Sequence, residues 1–364
     1  MRVLLDASAG AREDLSGIGR YVHSLCRALS ELEDGPQLVL GVRASKRSGR
    51  PHLPRLRGRA PDTRLLQDHL DRFLLQGFDL FHGLDARITP VRRVPRMATL
   101  HDVFSLQHGD LARDHFRGKK LRRYREIADG ATRILCVSEV TRRRYVEAFP
   151  QAAPRCVVVH HGVSERFRPP TAEESARIRS EYGLPGPYLL FVGLLSTRKN
   201  VTVLIGAFEQ IAAEDPDLRL VLAGADSHGH ESVRERRDRS PFRDRILTPG
   251  YVAAADLPAL YGTAEAFVFP TRDEGFGLPI LEALACGTPV VASDLEVLRE
   301  VGGEHPSWAE VGSEVDLARA LHEALAASRD EASVTARQGW ARRFRWEETA
   351  RLTWNAYREA LTEG

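Results

Sequence analysis

Two glutamates eight residues apart mark the part of this 364-residue chain that offers the most chemistry. Glu274 precedes a Gly-Phe-Gly turn, and Pro279 suits the first position of a helix that Gly287 ends. Glu282 therefore lies on a short helix, and Glu274 lies in the loop before it. Because one carboxylate can accept hydrogen bonds from two neighbouring hydroxyls, this pair suits a polyhydroxy ligand.

The turn between these glutamates is a candidate anion site. Gly275 and Gly277 leave backbone N–H groups unshielded at a helix N-terminus, where unpaired donors and the helix dipole attract negative charge. A ligand that carries both hydroxyls and phosphate, such as a nucleotide-sugar, fits this arrangement. The alternative is that Glu274 is an ordinary charge favoured by the dipole and Glu282 a solvated one.

Two further polar groups follow predicted strands. Arg198 and Lys199 fall in the loop after residues 188–192, where two cations can hold a diphosphate. His101 follows the strand predicted over residues 97–100, at the edge where ligands bind in parallel sheets. A solvated basic pair and a hydrogen-bonded structural histidine are the alternatives.

Two loop segments carry weaker signals. The sequence SGIGRY follows the first predicted strand, and its Gly17 and Gly19 permit close approach of the backbone to phosphate or sugar. The G-x-G-x-x-G spacing is absent, which disfavours dinucleotide binding. Tyr251 and Val252 lie in a loop before another predicted helix, where packing or turn formation explains them equally well.

Apolar runs of strand length alternate with helical patterns along the chain. Such alternation predicts an α/β fold of parallel sheets with helices on both faces. The helix after Lys199 places Val201, Leu204, Ile205, Phe208 and Ile211 on one apolar face. The predicted strands cover residues 3–5, 38–42, 78–82, 97–100, 134–137, 157–160, 188–192, 218–223, 245–247, 266–269 and 290–292.

The chain divides into two sets of these elements. Residues 161–179 are polar, contain two adjacent prolines and suit a linker, so we place the domain break near Gly162. Residues 344–361 form a helical pattern with several aromatic side chains. A chain of this length can form two domains of ordinary size.

Composition excludes several classes of protein. The chain is 43% hydrophobic and 28% charged, as is typical of a soluble globular protein. We expect a cytosolic protein, because the first apolar run is short and no stretch is long enough to cross a membrane. The four cysteines lack C-x-x-C spacing, which predicts buried, reduced thiols rather than disulfides or a zinc site.

Charge is unevenly distributed. Residues 1–160 hold 29 Lys and Arg against 18 Asp and Glu, a net +11, whereas the remainder holds 23 against 32, a net −9. One explanation is a general preference for arginine in a chain with few lysines. The other is an anionic partner, and because no stacking platform or known motif indicates nucleic acid, an anionic membrane surface or a lipid-linked acceptor is favoured.

The sequence EGFGLP and the E-x(7)-E spacing resemble the C-terminal signature of retaining glycosyltransferases of family 4. The resemblance implies that Glu274 and the amides of the next four residues hold the donor sugar and that Glu282 binds the ribose. It assigns the diphosphate to Arg198 and Lys199, although Leu194 stands where many members have a further arginine. The four amides belong to Gly275, Phe276, Gly277 and Leu278.

The same resemblance implies the GT-B architecture, with two doubly wound Rossmann-like domains facing across a cleft. Residues 1–162 would form the acceptor-side domain, with residues 346–364 packing back on it, and residues 163–345 would bind the nucleotide-sugar donor. His101 matches the family's "HD" segment, which approaches the donor sugar. Gly17 and Gly19 match its glycine loop, and Tyr251 and Val252 match its loop beside the base.

The implied reaction is transfer of a hexose from a nucleoside-diphosphate sugar to a glycan or lipid-linked acceptor, with retention of configuration. Neither a metal nor a resident cofactor is expected, since the acidic pair Asp215 and Asp217 is explained as a turn. The form GIGRY suggests a mannosyltransferase that uses GDP-mannose in cell-surface polysaccharide or glycolipid assembly, peripheral to the membrane's inner face. A nucleotide-sugar epimerase and a non-catalytic nucleotide-sugar-binding subunit are the alternatives.

Overall fold

The computed structural model describes residues 1–67, 75–90, 93–107, 114–327 and 330–362. The chain divides into two compact units, one comprising residues 1–162 with 344–364 and the other residues 163–343. The predicted break near Gly162 lies at this division.

The first unit contains a parallel sheet with the strand order β3-β2-β1-β4-β5-β6-β7. Its central strands are buried on successive residues, because helices cover both faces of such a sheet. The sequence analysis missed β3, whose short edge segment carries two polar residues. The strands are β1 Arg2–Asp6, β2 Gln37–Arg43, β3 Thr63–Leu66, β4 Leu80–Gly83, β5 Arg96–Leu100, β6 Arg133–Cys136 and β7 Cys156–Val158.

Helices of the first unit connect and cover these strands. Ser16 caps α1, since its hydroxyl accepts a hydrogen bond from the N–H of Gly19 at 3.2 Å. The last helix of the chain joins this unit and shares its core, which confirms the predicted return of the C-terminal helix. The helices are α1 Gly17–Glu31, α2 Phe104–Gln107, α3 Asp114–Gly130 and α4 Glu139–Ala148, together with the final Trp346–Thr362.

The second unit repeats the architecture with the strand order β10-β9-β8-β11-β12-β13, again all parallel. The predicted strand over residues 188–192 agrees with β8 to the residue. β13 was missed because it has three residues and lies at the sheet edge. The strands are β8 Tyr188–Val192, β9 Arg219–Ala223, β10 Ile246–Gly250, β11 Ala266–Phe269, β12 Val290–Ser293 and β13 Ser307–Ala309.

The helices of the second unit include one that the sequence analysis assigned to a linker. The predicted linker over residues 161–179 is wrong in its second part, because Thr171 and Glu174 form a capping box that starts α5. All five residues of the apolar face predicted for α6 are buried. The helices are α5 Ala172–Glu181, α6 Val201–Ala212, α7 His230–Asp238, α8 Leu257–Thr263, α9 Leu278–Ala285, α10 Glu296–Gly302, α11 Glu314–Ala326, α12 Glu331–Ala341 and α13 Trp346–Thr362, the last of which belongs to the first unit.

Both sheets have a switch point, where the strand order reverses. In the first unit it lies between β1 and β4, and in the second between β8 and β11. Ligands of open α/β sheets bind at the carboxyl ends of the strands at such points. The loops after these four strands are therefore where functional side chains are expected.

Three further features of the described residues concern membrane-spanning helices, metal-binding groups and the cysteines. None of the described helices is long and apolar enough to cross a membrane. Within the same residues, no group of three His, Cys, Asp or Glu side chains could hold a metal ion. All four cysteines are free, and Cys156 is half-buried rather than buried.

Candidate functional site

A basic loop follows β8 at the switch point of the second unit. Arg198 and Lys199 lie in the short 3-10 turn Thr197–Lys199, and the next residue, Asn200, has a left-handed backbone with φ of 56° before α6 begins. Backbone hydrogen bonds of 2.9 and 3.1 Å join this loop to the segment after β9. Both cations are thus held at the carboxyl edge of the sheet.

Glu274 contacts both cations through one oxygen. An Nη of Arg198 donates to Oε1 of Glu274 at 2.6 Å, and Nζ of Lys199 donates to the same atom. The side chains of Arg198, Lys199 and Glu274 are 24%, 11% and 14% exposed, so this is not a solvated surface pair. Of the hydrogen bonds that the described residues make, none ends on Oε2 of Glu274, which leaves that oxygen to accept a ligand hydroxyl.

Neighbouring groups fix this cluster. The hydroxyl of buried Thr271 lies 3.2 Å from Oε1 of Glu274 and 3.1 Å from the carbonyl oxygen of Arg198. The guanidinium of Arg198 also donates to the carbonyl oxygen of Asp273 at 2.7 Å. Sequence reasoning missed Thr271, although a polar residue just after a buried strand at the switch point was a usable signal.

Opposing effects act on the pKa of Glu274. Burial raises the pKa, but the charges of Arg198 and Lys199 outweigh burial, and the pKa lies below its ordinary value. The carboxylate is therefore ionised at neutral pH. Two cations against one anion leave a net charge of +1 in a partly buried site, where an anionic ligand is attracted more strongly than in water.

Glu282 has a different environment from the one that a solvated charge would have. It lies on α9, is only 2% exposed, and its Oε2 accepts a hydrogen bond from the hydroxyl of Tyr261 at 3.0 Å. It lies four residues beyond Leu278, or about 6 Å along the helix axis. The sequence analysis did not identify Tyr261 as its partner, since Tyr261 reads as an ordinary core residue of α8.

The glycine turn before α9 has the predicted form. Gly277 has a left-handed φ of 110°, and a β-carbon there would lie 2.8 Å from a methyl carbon of Leu298. The helix begins at Leu278, while Gly275 and Phe276 are buried in the loop before it. Glycine at 277 is required by both conformation and space. The sugar-holding role of these residues stays a prediction.

A cavity of about 610 Å³ lies at the carboxyl ends of β8, β9 and β10. Its walls include Leu195, which belongs to the loop that carries Arg198. Tyr251, 47% exposed, is also on the wall, whereas Val252 is buried. The volume is in the range of small-molecule sites.

The two glycines of the first unit differ. A β-carbon on Gly17 would meet nothing within 4 Å, whereas one on Gly19 would lie 3.0 Å from the carbonyl oxygen of Ala9 and 3.1 Å from Leu15. Gly19 therefore permits packing of α1 against the preceding loop. Gly17 is exposed and leaves the backbone open to a ligand.

His101 is half-buried just beyond β5, and its Nε2 lies 2.8 Å from the carbonyl oxygen of Leu84. Because a carbonyl only accepts, Nε2 carries the proton and the neutral ring presents Nδ1 as an acceptor. Burial lowers the pKa of His101, and the charge of Asp85 offsets only part of this effect. The imidazole is thus neutral at physiological pH.

A buried chain of hydrogen bonds lies beside His101. The hydroxyl of Tyr21 lies 2.9 Å from that of Thr99, which lies 2.9 Å from Nε2 of His82, and Nδ1 of His82 lies 2.8 Å from the hydroxyl of Tyr357 on α13. The ring of Tyr21 packs edge-on against His101, with 4.5 Å between centroids. The chain joins α1, two strands and the final helix, and it fixes the ring of Tyr21 beside His101.

Two polar features have structural explanations. Ser138 caps α4 by accepting a hydrogen bond from the N–H of Thr141 at 3.0 Å. Asp215 lies between α6 and β9, where its carboxylate accepts hydrogen bonds from the backbone N–H groups of Asp217 and Leu218. The interpretation of this acidic pair as a turn is confirmed.

The structure therefore brings Arg198, Lys199 and Glu274 into contact, and Tyr251 lies on the wall of the cavity at the ends of β8, β9 and β10. His101, Gly17 and Gly19 belong to the first unit.

Comparison with known proteins identifies several that are similar to this chain. The chain is 28% identical to the O-antigen chain mannosyltransferase B of Escherichia coli, over 98% of this chain and 99% of that protein. It is 27% identical to the serotype-specific mannosyltransferase WbdA of Escherichia coli, over 75% of this chain and 34% of that protein. The crystal structure of Anabaena Alr3699/HepE in complex with UDP and glucose superposes with a TM-score of 0.78 at 18% identity, covering all of both chains.

Two family models together match most of the sequence. The model described as glycosyltransferase family 4 matches residues 15–167, and that described as glycosyl transferases group 1 matches residues 174–339. The fold likeness and the two parallel-sheet units agree with the GT-B architecture. The chain belongs to the family 4 glycosyltransferases and is a sugar-transferring enzyme of the GT-B fold.

Proposed function

We propose that the second unit binds a nucleoside-diphosphate hexose and that the enzyme transfers the hexose to an acceptor hydroxyl with retention of configuration. The contact of Arg198, Lys199 and Glu274 at the switch point carries this proposal. A diphosphate meets a net positive, partly buried site there. The base lies in the cavity beside Tyr251, and Glu282 binds the ribose.

The leaving nucleoside diphosphate gains negative charge as its bond to the sugar breaks. Arg198 and Lys199 are already held in place by Glu274, so little reorganisation is needed to stabilise that charge. Glu274 is a poor nucleophile because two cations occupy one of its oxygens and lower its pKa. It orients the sugar through its other oxygen, together with the glycine turn.

Retention follows if the acceptor attacks the face from which the phosphate leaves. The departing phosphate oxygen then takes the proton of the acceptor hydroxyl, and no covalent intermediate forms on the protein. His101, with Nδ1 as a hydrogen-bond acceptor, contributes by orienting a sugar hydroxyl. The reaction proceeds without a metal or cofactor, so transfer is expected to persist in EDTA.

We propose mannose as the sugar and GDP as the nucleotide, in assembly of a cell-surface polysaccharide or glycolipid. The full-length similarity to an O-antigen mannosyltransferase supports this choice. The relative of known structure holds UDP and glucose, so UDP-glucose is the competing donor.

The test is a transfer assay with GDP-mannose, UDP-glucose and related donors, with and without a mannose-terminated oligosaccharide. We expect one donor to be consumed only when acceptor is present, giving an axial (α) linkage from an α-linked donor by NMR. Conversion of a donor without acceptor would instead indicate an epimerase. Nucleotide binding without turnover of any donor would favour a non-catalytic subunit.

We also propose that the first unit associates with an anionic membrane surface. Helix α3 exposes Lys119, Arg122 and Arg125, and each basic side chain near such a surface contributes about 1 kcal/mol. Sedimentation with anionic vesicles should show binding at low salt that is lost at high salt. Absence of binding at low salt would contradict this part of the proposal.

A further inference from the structure

Three arginines from different elements lie near the carboxyl edge of the first unit's sheet, close enough for the charges of Arg43 and Arg123 to act on Arg87. Arg43 ends β2, Arg87 follows β4, and Arg123 lies on α3. β1 lies between β2 and β4, and its last residue, Asp6, pairs in register with Gly41 of β2 and Gly83 of β4. This edge includes the switch point of the unit.

Arg43 is held by its own partners. Its Nε donates to Oδ2 of Asp6 at 3.1 Å, and its backbone N–H donates to the hydroxyl of Ser8 at 3.0 Å. Asp6 is only 5% exposed. Arg43 is therefore fixed in position with its charge paired.

Arg87 stands at the end of a constrained turn. Ala86 has a left-handed φ of 43°, which costs about 1 kcal/mol for a residue other than glycine. A β-carbon on Gly83 would lie 1.8 Å from the carbonyl oxygen of Arg87, so the turn also requires glycine there. Strained backbone of this kind is concentrated at functional sites.

Arg87 is half-buried, and none of the hydrogen bonds or ion pairs among the described residues involves its side chain. Burial lowers the pKa of Arg87, and the nearby charges of Arg43 and Arg123 lower it further, while Asp6 and Asp85 offset this in part. A half-buried cation beside two other cations, with no acceptor from the described residues, is stabilised by an anionic ligand that supplies one.

We propose that Arg87, together with Arg43 and Arg123, binds a phosphate or diphosphate group of the acceptor. This inference rests on the proposed transfer function and names the chemistry of its acceptor. Guanidinium groups match the oxygens of phosphate through paired hydrogen bonds, and three of them suit a group with several anionic oxygens. Three cations against two carboxylates leave a net charge of +1 before the ligand binds.

The position of the site suits an acceptor. Asp85 acts electrostatically on both Arg87 and His101, so the arginine cluster adjoins the histidine that we expect at the reacting sugar. An acceptor anchored here by its phosphate would place its sugar hydroxyl beside that edge of the sheet.

The experiment compares Arg87→Gln with Arg64→Gln, an exposed arginine on β3, in calorimetric titrations with GDP or UDP at saturation to occupy the donor site. The probes are inorganic pyrophosphate, mannose 1-phosphate and farnesyl diphosphate in detergent micelles. We expect at least one probe to bind the unaltered protein and to lose tenfold or more in affinity in Arg87→Gln, but not in Arg64→Gln. Binding of the first two probes would indicate recognition of phosphate alone, and binding of farnesyl diphosphate only would indicate a lipid-linked source.

The Tm of the variants and their nucleotide affinity distinguish loss of the phosphate site from a structural defect and from failure of the donor site. Removing an unpaired, repelled cation should leave the Tm of Arg87→Gln unchanged or raise it, whereas loss of a structural contact would lower it. Nucleotide affinity should be the same in both variants, so a failed nucleotide titration would count against the proposed donor site and not against Arg87. The inference is overturned if no probe binds, or if Arg87→Gln binds every probe as well as the unaltered protein.

Discussion

The two units share a strand order but equip their switch points differently. In the second unit, Arg198, Lys199 and Glu274 form a charged cluster with a net charge of +1. In the first, beside the arginines at the strand ends, Tyr21 and His82 belong to a buried neutral chain of hydroxyls and imidazole that ends on the final helix.

This difference separates two physical tasks. A charged cluster with one unused carboxylate oxygen can bind an anion and orient hydroxyls, because it supplies both positive charge and an acceptor. A neutral buried chain binds nothing itself, but it fixes the ring of Tyr21 against His101. Parallel sheets with the same order can therefore supply either electrostatic binding or precise positioning at the same edge.

The largest expected effect comes from breaking the charged cluster. Lys199→Ala should lower kcat/KM for transfer by about 10²- to 10³-fold, since it removes a preorganised cation from the leaving group. Glu274→Ala should mainly lower transfer and leave nucleotide binding largely intact. Steady-state kinetics with Lys46→Ala, an exposed lysine of the first unit, as the control would test both. Normal kinetics in Lys199→Ala and Glu274→Ala would refute the site.

Because the buried chain keeps His82 neutral, the free energy of unfolding should depend on pH. Burial lowers the pKa of His82 to about 3, with a smaller contribution from His101, against an ordinary value of 6.5. Between these values the unfolded chain binds a proton that the folded chain does not. The free energy of unfolding should therefore fall as pH decreases from about 6.5 towards 3, by about 1.4 kcal/mol per pH unit for one histidine.

Denaturant unfolding between pH 4 and 7 measures this slope. His82→Gln should be less stable at pH 7 but show a shallower slope than the unaltered protein. An identical slope in His82→Gln and the unaltered protein would contradict the neutral, buried state of this imidazole.

A smaller effect is expected from replacing His101, against which the buried chain of hydrogen bonds holds the ring of Tyr21. His101→Asn should lower transfer about tenfold through loss of one hydrogen bond to the substrate, because Nδ1 is the acceptor that the neutral ring presents. Nucleotide affinity should not change, since the second unit is untouched. If nucleotide affinity falls in parallel with transfer, His101 does not act on the sugar alone.

The smallest effect is expected from removing the hydrogen bond that the hydroxyl of Tyr261 donates to Glu282. Tyr261→Phe removes a 3.0 Å hydrogen bond to a buried carboxylate and should weaken nucleotide binding by about three- to tenfold. Glu282→Ala, which removes the ribose contact itself, should weaken it more. Calorimetry on both variants would rank them, and the reverse order would show that Glu282 does not contact the ribose.

Much of the second unit was predictable from local sequence. Its central strands are uniformly apolar, so their bounds follow from composition, as at β8. The edge strands, β3 of the first unit and β13 of the second, were not predictable, because short, partly exposed segments carry little hydrophobic pattern. Helix α5 was missed because its capping box starts it within a polar segment that resembles a linker.

Site residues were predictable individually, but their contacts were not. Arg198 and Glu274 are 76 residues apart, and they meet because β11 pairs with β8, on the side opposite β9. His82 and Tyr357 are 275 residues apart and look like ordinary strand and helix residues. Such pairs depend on strand order and on the path of the final helix, which periodicity does not encode.

The central claim is that Arg198 and Lys199 bind the diphosphate of the donor, and calorimetric titration with UDP, GDP, ADP and dTDP tests it most directly. We predict that one nucleotide binds the unaltered protein and that Arg198→Ala/Lys199→Ala weakens its affinity by at least about 100-fold, a loss of about 2.7 kcal/mol. His101→Asn should bind that nucleotide normally. Equal affinity in the double variant and the unaltered protein would contradict the account.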